Sequence, residues 1–465
     1  MIALTLGEIA GIVDGVLAAG TDPALVVDGP TFLDSRKPLP GGLFAAFDGA
    51  NADGHDFAAA AVEAGAAAVL GSRDVGVPGV LVADVEAALG RLARELLRRL
   101  PAIKVIALTG SSGKTSTKDL LGQVLATHAP TVFTEGSFNN EIGLPLTVLR
   151  ADESTRYLLL EMGARGVGHI KQLCELAPPQ IGLVLNIGTA HVGEFGSKET
   201  TAEAKGELIE ALPKDGLAVL NADDDYVAGM AGRSQAPVLW FGDRPSARVR
   251  AADVAIDENS CASFTLSADG IEARTKLRFV GEHQVSNALA AAAVCIGVGM
   301  SVPEIAAGIA AAEPLSGGRM TVTHRADGVI VIDDAYNANP ESMRAGLKAL
   351  VTLARSRPEG RSWAVLGQMA ELGDTSVEAH DALGRLAVRL RVDRLLAVGP
   401  AARMIHAGAL HEGSGGQESA TVADPDEAIA VLRAQLRPGD VVLVKASNSV
   451  GLRRVAHALL EEDER

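Results

Sequence analysis

The spacing of hydrophobic and polar positions along the chain predicts an α/β fold. Short runs rich in valine, isoleucine and leucine end in glycine or in polar residues, and segments with helical spacing of apolar positions separate them. Such runs occur at KVIALTG, YLLLEMG, IGLVLNIG and GLAVLNADD in the middle of the chain and at GVIVID, SWAVLG, RLLAVG and DVVLVK towards its end. Strands that alternate with helices in this way are typical of parallel sheets.

Proline and glycine residues mark two boundaries between blocks of this pattern, which we call seams. Pro101 follows an Ala-, Gly- and Asp-rich block that closes with a helix, and Pro314, Gly317 and Gly318 interrupt the chain again. The length of 465 residues suits three domains at about 100–200 residues each. We therefore predict a small N-terminal α/β domain over residues 1–102, a central parallel-sheet domain over 103–314 and a C-terminal Rossmann-like domain over 315–465.

The acidic composition narrows the class of partner. The chain has 42 Lys and Arg against 58 Asp and Glu, a formal charge of −16, and no run of basic residues. Such a surface repels nucleic acids and anionic membranes, so we expect neither as a partner. The longest apolar run, residues 288–300, is too short to span a bilayer, and no basic signal segment opens the chain. These features predict a cytoplasmic protein.

The three cysteines give no sign of a disulfide framework or of a zinc site. Cys174, Cys261 and Cys295 are far apart and show no CxxC spacing. We predict buried, reduced thiols.

The strongest chemical signal is TGSSGKTST at residues 109–117, between a predicted strand and a predicted helix. Glycines there free backbone amides to surround phosphate, Lys114 can reach the terminal phosphates and the Thr115 hydroxyl can bind Mg²⁺. Leu108 replaces the first glycine of the full Walker pattern, so the match is to the shorter GxxGKT form. The alternative is a glycine turn that precedes Lys-Thr by chance. The predicted ATP-binding residues of this loop are Gly110, Ser111, Ser112, Gly113, Lys114, Thr115 and Ser116.

Three further residues of the central block are candidates for the same chemistry. Glu161 ends a predicted strand, where a carboxylate can complete a magnesium site, although a lone strand-end glutamate would be taken as solvent-facing. His191 follows another strand between glycines and is either a metal ligand or a structural histidine. Lys205 lies in EAKGELIEAL, where the sequence by itself indicates only a solvated helix residue.

The third block contains DDAYNANPESM after the strand GVIVI. Asp333 and Asp334 are costly after an apolar strand unless they meet a ligand such as a sugar hydroxyl or metal-bound water. Asn337 and Asn339 form a polar turn with Pro340, and Asn339 is placed to cap the next helix. Arg319 lies at the seam itself.

Taken in order, these motifs resemble the Mur ligase family over essentially the whole chain. The resemblance rests on GSSGKT, EMGARG, NIGTAHVGEFG, EAKGEL, GEHQVSN, Arg319 and DDAYNANP. It implies an ATP-dependent amide-bond ligase with a UDP-binding N-terminal domain, a central ATPase domain and a C-terminal Rossmann-like domain. SFNNEIGLPLTVL and LGQMAELG, followed by His380, look most like the members that join D-alanyl-D-alanine to UDP-N-acetylmuramoyl-tripeptide through an acyl phosphate.

The resemblance also implies roles for single residues. Lys114 and Thr115 would bind the phosphates and one Mg²⁺, Glu161 and His191 would hold a second, and a carbamylated Lys205 would order the metal. Lys114, Lys205 and His191 would be the catalytic residues. For the ligands, the implied contacts are Asn287 to adenine, Arg319 to the γ-phosphate, Asp334 to ribose, Ser35 and Arg36 to the uridine side, Asn139 and Asn140 to the peptide end, and Asn337 and Asn339 to the acceptor.

Several alternatives stay open at this point. The third residue of the tripeptide is diaminopimelate or lysine, and neither the general base nor the cation that holds the dipeptide carboxylate is identified. Arg36 is alternatively a surface arginine. Rival functions are a family member that adds one amino acid, whose DNPR motif this chain lacks, a phosphate-loop switch or transport ATPase, and a catalytically silent homologue. We expect a monomer in which the C-terminal domain closes about the Pro314–Gly318 seam.

Overall fold

The computed structural model describes residues 1–49, 52–189, 192–357, 359–415 and 418–461. It has three successive α/β regions, each with its own sheet or sheets, and the predicted strands named above are confirmed. Among the described residues, no helix is both long enough and apolar enough to span a bilayer.

The N-terminal region places parallel strands beside two packed helices. Its sheet has the order β2-β6-β5-β4, and β1 pairs with β3. The Thr5 side chain caps α1 in a capping box with Glu8, and Asp84 caps α3. The elements are β1 Leu4–Thr5, α1 Leu6–Val13, β2 Val16–Leu17, β3 Val26–Val27, β4 Leu43–Ala45, α2 Ala58–Glu63, β5 Ala68–Gly71, β6 Gly79–Leu81 and α3 Val85–Arg99.

The central region is built on a sheet of order β15-β14-β13-β12-β11-β10-β7-β9-β8. Its elements are β7 Lys104–Thr109, α4 Lys114–Ala126, β8 Thr131–Phe133, α5 Gly143–Val148, β9 Tyr157–Glu161, α6 His169–Leu176, β10 Ile181–Val184, α7 Val192–Phe195, α8 Lys198–Glu210, β11 Leu217–Asn221, α9 Asp225–Gly229, β12 Val238–Phe241, β13 Val249–Ile256, β14 Cys261–Ala268, β15 Ile271–Val280, α10 Gln284–Gly297 and α11 Val302–Ala311.

The prediction of a parallel central sheet is confirmed for β7 to β13, whereas the hairpin of β14 and β15 adds antiparallel pairing. Burial along β14 alternates residue by residue, because one face packs on α10 and α11 and the other is more open. This period of two was the signal in the sequence that our prediction did not use. The buried helix α10 contains most of the apolar run that we judged too short to span a bilayer.

The C-terminal region is a doubly wound sheet of order β16-β17-β21-β18-β19-β20. Four of its strands were predicted, and the edge strands β16, which is antiparallel, and β20 were not. The elements are β16 Thr321–His324, β17 Ile330–Asp333, α12 Pro340–Arg355, β18 Ser362–Leu366, α13 Ser376–Arg389, β19 Arg394–Val398, α14 Arg403–His411, β20 Ser419–Val422, α15 Pro425–Gln435, β21 Val441–Lys445 and α16 Arg453–Leu460.

The thiols are reduced, and two of the three are buried as predicted. Cys174 and Cys295 are buried, whereas the prediction was wrong for Cys261, which is only half-buried at the first residue of β14. Burial raises the pKa of the Cys174 thiol to about 12 and also raises that of Cys295. Thiolate is the reactive form, so these two thiols are inert core groups.

Asp440 ties the start of β21 to the start of β18. Its carboxylate is buried and accepts hydrogen bonds from Arg361 Nη2 at 2.7 Å, Trp363 Nε1 at 3.1 Å and the backbone N–H of Arg437 at 3.0 Å. Burial acts to raise the pKa of Asp440, but the hydrogen bonds from Arg361 and Arg437 outweigh it and hold that pKa below its usual value. The carboxylate therefore stabilises the folded C-terminal region.

We expect Asp440→Asn to lower the free energy of unfolding of this region by about 3 kcal/mol, because it leaves the partly buried Arg361 guanidinium without its counter-ion. The native pKa lies below the unfolded one, so the stabilisation is complete above about pH 4 and is lost as the pH falls through the native pKa. Thermal unfolding from pH 3 to pH 7 checks both points. The exposed Asp426 pairs with Arg454, and Asp426→Asn should leave the melting temperature unchanged.

Candidate active site

A cavity of about 490 Å³ lies where the carboxyl ends of the central strands meet the C-terminal region. In the central sheet β7 lies between β10 and β9, so its carboxyl end opens onto the crevice where parallel sheets bind ligands. The predicted residues that line the cavity are Ser111, Ser112, Gly113, Lys114, Thr115, Ser116, Asn139, Glu161, Asn287, Arg319, Asp334, Asn337 and Asn339. Much of the predicted ATP site is thus brought together.

The glycine-rich loop between β7 and α4 is held open by Asn186. The Asn186 side chain accepts from Ser112 N–H at 2.9 Å and donates to the Ser112 carbonyl at 3.2 Å, while the Asn186 carbonyl accepts from Ser111 N–H at 3.0 Å. The Lys114 ammonium lies inside the loop, 2.7 Å from the Gly110 carbonyl. Among the described residues the buried Ser111 hydroxyl has no partner, which suits a loop that surrounds an anion.

Gly113 brings the loop into contact with α10. Its φ of +79° is the left-handed conformation that glycine adopts readily, and a Cβ there would lie 2.6 Å from Asn287 Oδ1. Asn287 also donates to Gln284 Oε1 at 2.8 Å, so its amide is fixed against the phosphate loop. A larger residue at 113 would therefore deform the loop or displace α10.

We expect Gly113→Ala to weaken ADP binding by about ten- to a hundredfold, because the left-handed conformation costs an alanine about 1–3 kcal/mol and its methyl group meets Asn287. Isothermal titration calorimetry with ADP measures the effect. Gly229→Ala is the matched control, since a Cβ at Gly229 meets open space. Equal affinities for both variants would contradict this expectation.

Oxygen atoms converge next to this loop. Thr115 Oγ1 lies 3.0 Å from Glu161 Oε2 and 3.0 Å from Ser137 Oγ, and Asn139 Nδ2 donates to Glu161 Oε1 at 2.8 Å. A set of hydroxyl and carboxylate oxygens fits Mg²⁺, which prefers oxygen ligands and keeps positions for phosphate and water. The described residues contain no group of three or more His, Cys, Asp or Glu that could hold a metal ion by themselves, so phosphate oxygens would complete the set. The predicted ligand His191 lies outside the described residues.

Two of these contacts were not predicted. Ser137 was missed, although it lies two residues before the predicted Asn139 and shares its loop. Asn139 lines both cavities of the site, and its side chain is bound to Glu161 rather than free for a peptide. Asn139 therefore orients the carboxylate.

Lys205 is a buried lysine without a counter-ion. Its side chain on α8 is 1% exposed, and among the described residues no group hydrogen-bonds to its amino nitrogen. Burial, and then the positive charge of Lys114, lower the pKa of Lys205 well below its usual value. The neutral amine is therefore favoured over the ammonium more than in an ordinary lysine, and the prediction of a solvated lysine from the spacing alone is wrong.

The Arg319 side chain extends from the seam to Ser137, which contacts Thr115 at the end of the phosphate loop. Its guanidinium donates to Ser137 Oγ at 2.7 Å and lies over the Tyr336 ring, 4.3 Å from the centroid. Arg319 is therefore a cation that the C-terminal region brings into the cavity, fixed by an aromatic face on one side and a hydroxyl on the other.

Asp333 and Asp334 each form an ion pair with a basic side chain of the same protein. Asp334 pairs with Lys445 at 2.7 Å and accepts from Met320 N–H at 3.1 Å, and Asp333 lies 3.5 Å from Arg453. The prediction that two aspartates after an apolar strand require a ligand was wrong, because Lys445 ends the neighbouring strand β21 and supplies the charge. Asp334 still lines the cavity, but its carboxylate is already paired.

The two asparagines predicted for the acceptor shape the turn before α12. Asn339 Oδ1 accepts from Ser342 N–H at 2.8 Å, which confirms it as the helix cap, and Asn337 Oδ1 accepts from Ala338 N–H at 2.8 Å. Glu341, in the first turn of α12, accepts from Thr189 N–H at 3.0 Å. The C-terminal region is therefore in contact with the central one across the cavity.

A second cavity of about 470 Å³ adjoins the first and contains residues of all three regions. Leu33 comes from the N-terminal region and Glu371 from the C-terminal one, while Lys114, Asn140 and Lys205 come from the central one. Asn140 also caps the start of α5 through a 2.9 Å bond to Gly143 N–H.

The predicted uridine contacts are not part of this cavity. In the described part of the chain Ser35 and Arg36 line neither cavity, and the Arg36 side chain is 86% exposed and paired with Asp34 at 2.8 Å. The two residues lie on the loop that follows Leu33, outside the wall of the second cavity.

The phosphate loop, the oxygen cluster and the buried lysine of the central region, in cavities that the N- and C-terminal regions complete, define an ATP-dependent ligase of the Mur type. Three family models match: "Mur ligase family, catalytic domain" over residues 32–108, "Mur ligase middle domain" over 108–295 and "Mur ligase, glutamate ligase domain" over 318–448. The chain belongs to the Mur ligase family, as its motifs predicted.

Individual relatives cover the whole chain. It is 51% identical to the UDP-N-acetylmuramoyl-tripeptide–D-alanyl-D-alanine ligase of Mycobacterium tuberculosis, over 100% of this chain and 99% of the relative, and 35% identical to that of Escherichia coli over 99% of each. Among solved structures, MurF from Acinetobacter baumannii superposes with a TM-score of 0.84 at 31% identity over 99% of each chain. MurF ligase from Thermotoga maritima in complex with ADP gives 0.77 at 31% identity, over 94% of this chain and 98% of that one.

Proposed function

We propose that this chain uses ATP to join D-alanyl-D-alanine to UDP-N-acetylmuramoyl-tripeptide in peptidoglycan precursor synthesis. Full-length identity of 51% to a ligase of that name supports the assignment. The observation that carries it is the junction of the two cavities, because Lys114, Ser137 and Asn139 line both. A carboxylate in the second cavity can therefore meet the terminal phosphate of ATP in the first.

The reaction divides into two displacements. A carboxylate oxygen of the tripeptide attacks the γ-phosphorus, the bond from phosphorus to the β-phosphate oxygen breaks, and an acyl phosphate and ADP result. The amine of the dipeptide then attacks the acyl carbon through a tetrahedral intermediate, phosphate leaves and a proton is released from the nitrogen. Activation is needed because a free carboxylate is a poor acyl donor, so the protein's task is to align anions and neutralise their repulsion.

The chain supplies that neutralisation from two sides. Lys114 approaches from the phosphate loop, and Arg319 approaches from the seam, held by Ser137 and Tyr336. Bound Mg²⁺, for which Thr115 and Glu161 offer oxygen ligands, supplies further positive charge at the phosphates. Asn287, packed against the loop, and Asp334, across the cavity, flank the space that we assign to the nucleoside of ATP.

For Lys205 we propose carbamylation. A neutral lysine amine attacks CO₂, forms an N–C bond and releases one proton, so a carboxylate-like anion replaces the amine. The burial of Lys205, its lack of an acidic partner among the described residues and its lowered pKa support this chemistry. An anion there would also attract the positive charge of Lys114.

The remaining ligand contacts are proposals of the same kind. We assign Asn140 to the peptide end of the nucleotide substrate and Asn337 and Asn339 to the shape of the acceptor pocket. Ser35 and Arg36 remain assigned to the uridine side, on the loop that follows the cavity residue Leu33.

For the acyl donor we propose a peptide of the alanyl-D-glutamyl-2,6-diaminopimelate type. A further ligase structure from A. baumannii, whose name includes that peptide, supports this choice. It is 29% identical to this chain and superposes with a TM-score of 0.82, over 99% of this chain and 98% of that one.

We propose domain boundaries near residues 102 and 314. Pro101 follows α3 directly, and the second boundary precedes the segment in which Ser316 N–H donates to Asp119 of α4 at 3.1 Å. Both cavities are formed by one chain, which supports a monomer, and the use of ATP and a nucleotide-linked donor supports a cytoplasmic location.

The deciding experiment measures phosphate release with ATP and UDP-N-acetylmuramoyl-tripeptide, with and without D-alanyl-D-alanine. We expect release to depend on the dipeptide and the product to carry five residues, as shown by mass spectrometry. Release that is stimulated by a single amino acid instead would assign the chain to another reaction of the family. No release with any acceptor would contradict the proposed function.

A further inference from the structure

The second cavity has a cationic corner that the proposed reaction does not use. Arg165, on the loop that joins β9 to α6, and His169, the first residue of α6, line it together with Asn139 and Lys205. Neither residue belongs to the phosphate loop or to the oxygen cluster. Their position beside the space for the peptide raises the question of which group of the substrate they contact.

The loop that holds this corner is fixed at both ends. At its start, Gly163 N–H donates to the Asn139 carbonyl at 2.8 Å, and a Cβ on Gly163 would lie 3.0 Å from the Asn139 side chain. At its end, Glu207 of α8 accepts from Gly168 N–H at 2.5 Å and from Lys171 N–H at 2.9 Å. The loop is thus bound to the residue that orients Glu161 and to the helix that contains Lys205.

Glu207 already occupies the start of α6, so the ligand of this corner must be held by side chains. Arg165 N–H donates to His169 Nδ1 at 3.3 Å, and a neutral His169 therefore has its ring proton on Nε2, where it can act as a donor. Among the described residues the Arg165 guanidinium has no hydrogen-bonding or ion-pair partner. Arg165 and His169 therefore offer N–H donors, and Glu141 and Glu371 also line the cavity.

The surroundings favour an anion of planar, forked shape. Leu33, Phe138 and Leu146 supply apolar groups to the lining, and Arg165 is exposed, so its guanidinium is accessible to a ligand. A guanidinium binds a carboxylate through two parallel hydrogen bonds, and a histidine N–H can add a third. The carboxylate that is activated has to lie at Lys114, so this corner is left for a different one.

We propose that Arg165, assisted by His169, binds a carboxylate of the tripeptide other than the one that is activated, and thereby sets which peptides are accepted as acyl donors. This inference rests on the proposed function. A peptide of the alanyl-D-glutamyl-2,6-diaminopimelate type has two such groups, the free carboxylate of D-glutamate and the distal carboxylate of diaminopimelate.

The test compares three donors with the full-length protein: the diaminopimelate peptide, the same peptide with lysine in its place, and the same peptide with the glutamate carboxylate amidated. We expect Arg165→Gln to lower kcat/KM for the first donor by about ten- to a hundredfold, mainly through KM. That loss should nearly vanish with the one donor that lacks the paired carboxylate, which identifies the source. Arg165→Lys should give an intermediate loss, because it keeps the charge and loses the fork.

Lys171→Gln is the matched control, since it removes one positive charge from the exposed side of α6 and should leave all three donors unchanged. ADP affinity and melting temperature establish that Arg165→Gln is folded. An equal loss with all three donors, or no loss with any donor, would overturn the inference about Arg165. The proposed function would still stand in that case, provided that the wild type shows dipeptide-dependent activity. If the wild type itself shows no such activity, the proposed function fails instead.

Discussion

Lys205→Gln should lower kcat by about three orders of magnitude and leave ADP affinity unchanged. Glutamine cannot provide the negative charge of a carbamate, and removal of one group that stabilises developing charge in a water-poor site costs about 10²–10³ in rate, more where it also positions a metal. The phosphate loop does not depend on α8 for its conformation, since Asn186 holds it. Steady-state kinetics and calorimetry measure the two quantities.

Two further measurements separate a carbamate from a structural lysine. In ¹³CO₂-equilibrated buffer we expect a carbamate carbon resonance in the wild type that is absent from Lys205→Gln, and acetate or formate should partly restore the activity of Lys205→Ala. Lys214→Gln, which changes an exposed lysine just after α8, should behave like the wild type. Full activity of the wild type without CO₂, together with no resonance, would rule out carbamylation.

The activity that depends on the Lys205 carbamate should change with pH in a defined direction. The lowered pKa of Lys205 means that its neutral form persists to lower pH than that of an ordinary lysine, and only the neutral amine attacks CO₂. Carbamate-dependent activity should therefore fall as the pH is lowered, because the amine becomes protonated, and the fall should occur at a lower pH than an ordinary lysine would give.

The parts of the fold that were predicted depend on local pattern. Apolar runs ending in glycine gave the central and C-terminal strands, and GSSGKT gave the phosphate loop, because both signals lie within a few consecutive residues. The hairpin of β14 and β15 was missed because our prediction did not distinguish its alternation of apolar and polar residues from the surrounding loop sequence. The edge strands β16 and β20 are short, and their pairing depends on neighbours that local spacing does not reveal.

The parts of the site that were missed depend on contacts between distant segments. Asp333 and Asp334 were predicted to need a ligand because they follow an apolar strand, but Lys445, the partner of Asp334, lies 111 residues later on β21. The motif of Asn139 predicted a contact with the peptide and did not reveal its hydrogen bond to Glu161. The spacing around Lys205 indicated a solvated lysine, because its burial depends on tertiary packing. In each case the contacts of the residue depend on segments that local spacing does not connect.

Contacts between the central and C-terminal regions fix the position of Arg319, the arginine that we assign to the first displacement. Arg319 belongs to the segment just after the seam, yet its guanidinium contacts Ser137, which in turn contacts Thr115. Asp119 of α4 also accepts from Ser316 N–H, so the helix that begins with Lys114 is tied to the seam. We therefore propose that the C-terminal region, and not the central one alone, positions the positive charge of Arg319 that acts on the γ-phosphate.

Arg319→Ala should lower kcat by about three orders of magnitude and change ADP affinity by no more than about threefold. A guanidinium that stabilises charge during phosphoryl transfer contributes about 10³–10⁵ in rate, and ADP lacks the phosphate that Arg319 would contact. Arg319→Lys should recover only part of the rate, because an ammonium loses both the hydrogen-bond fork and the stacking on Tyr336. Single-turnover formation of ADP measures the first displacement directly.

Arg250→Ala provides the control, because Arg250 is exposed on β13 and lies outside both cavities. A matched fall in ADP affinity and kcat for Arg319→Ala would show that the arginine shapes the nucleotide site as a whole rather than acting on the γ-phosphate. If the single-turnover rate is unchanged but steady-state turnover is slow, Arg319 acts in the second displacement or in product release. The proposed role requires the loss to occur in the first displacement, with ADP binding retained.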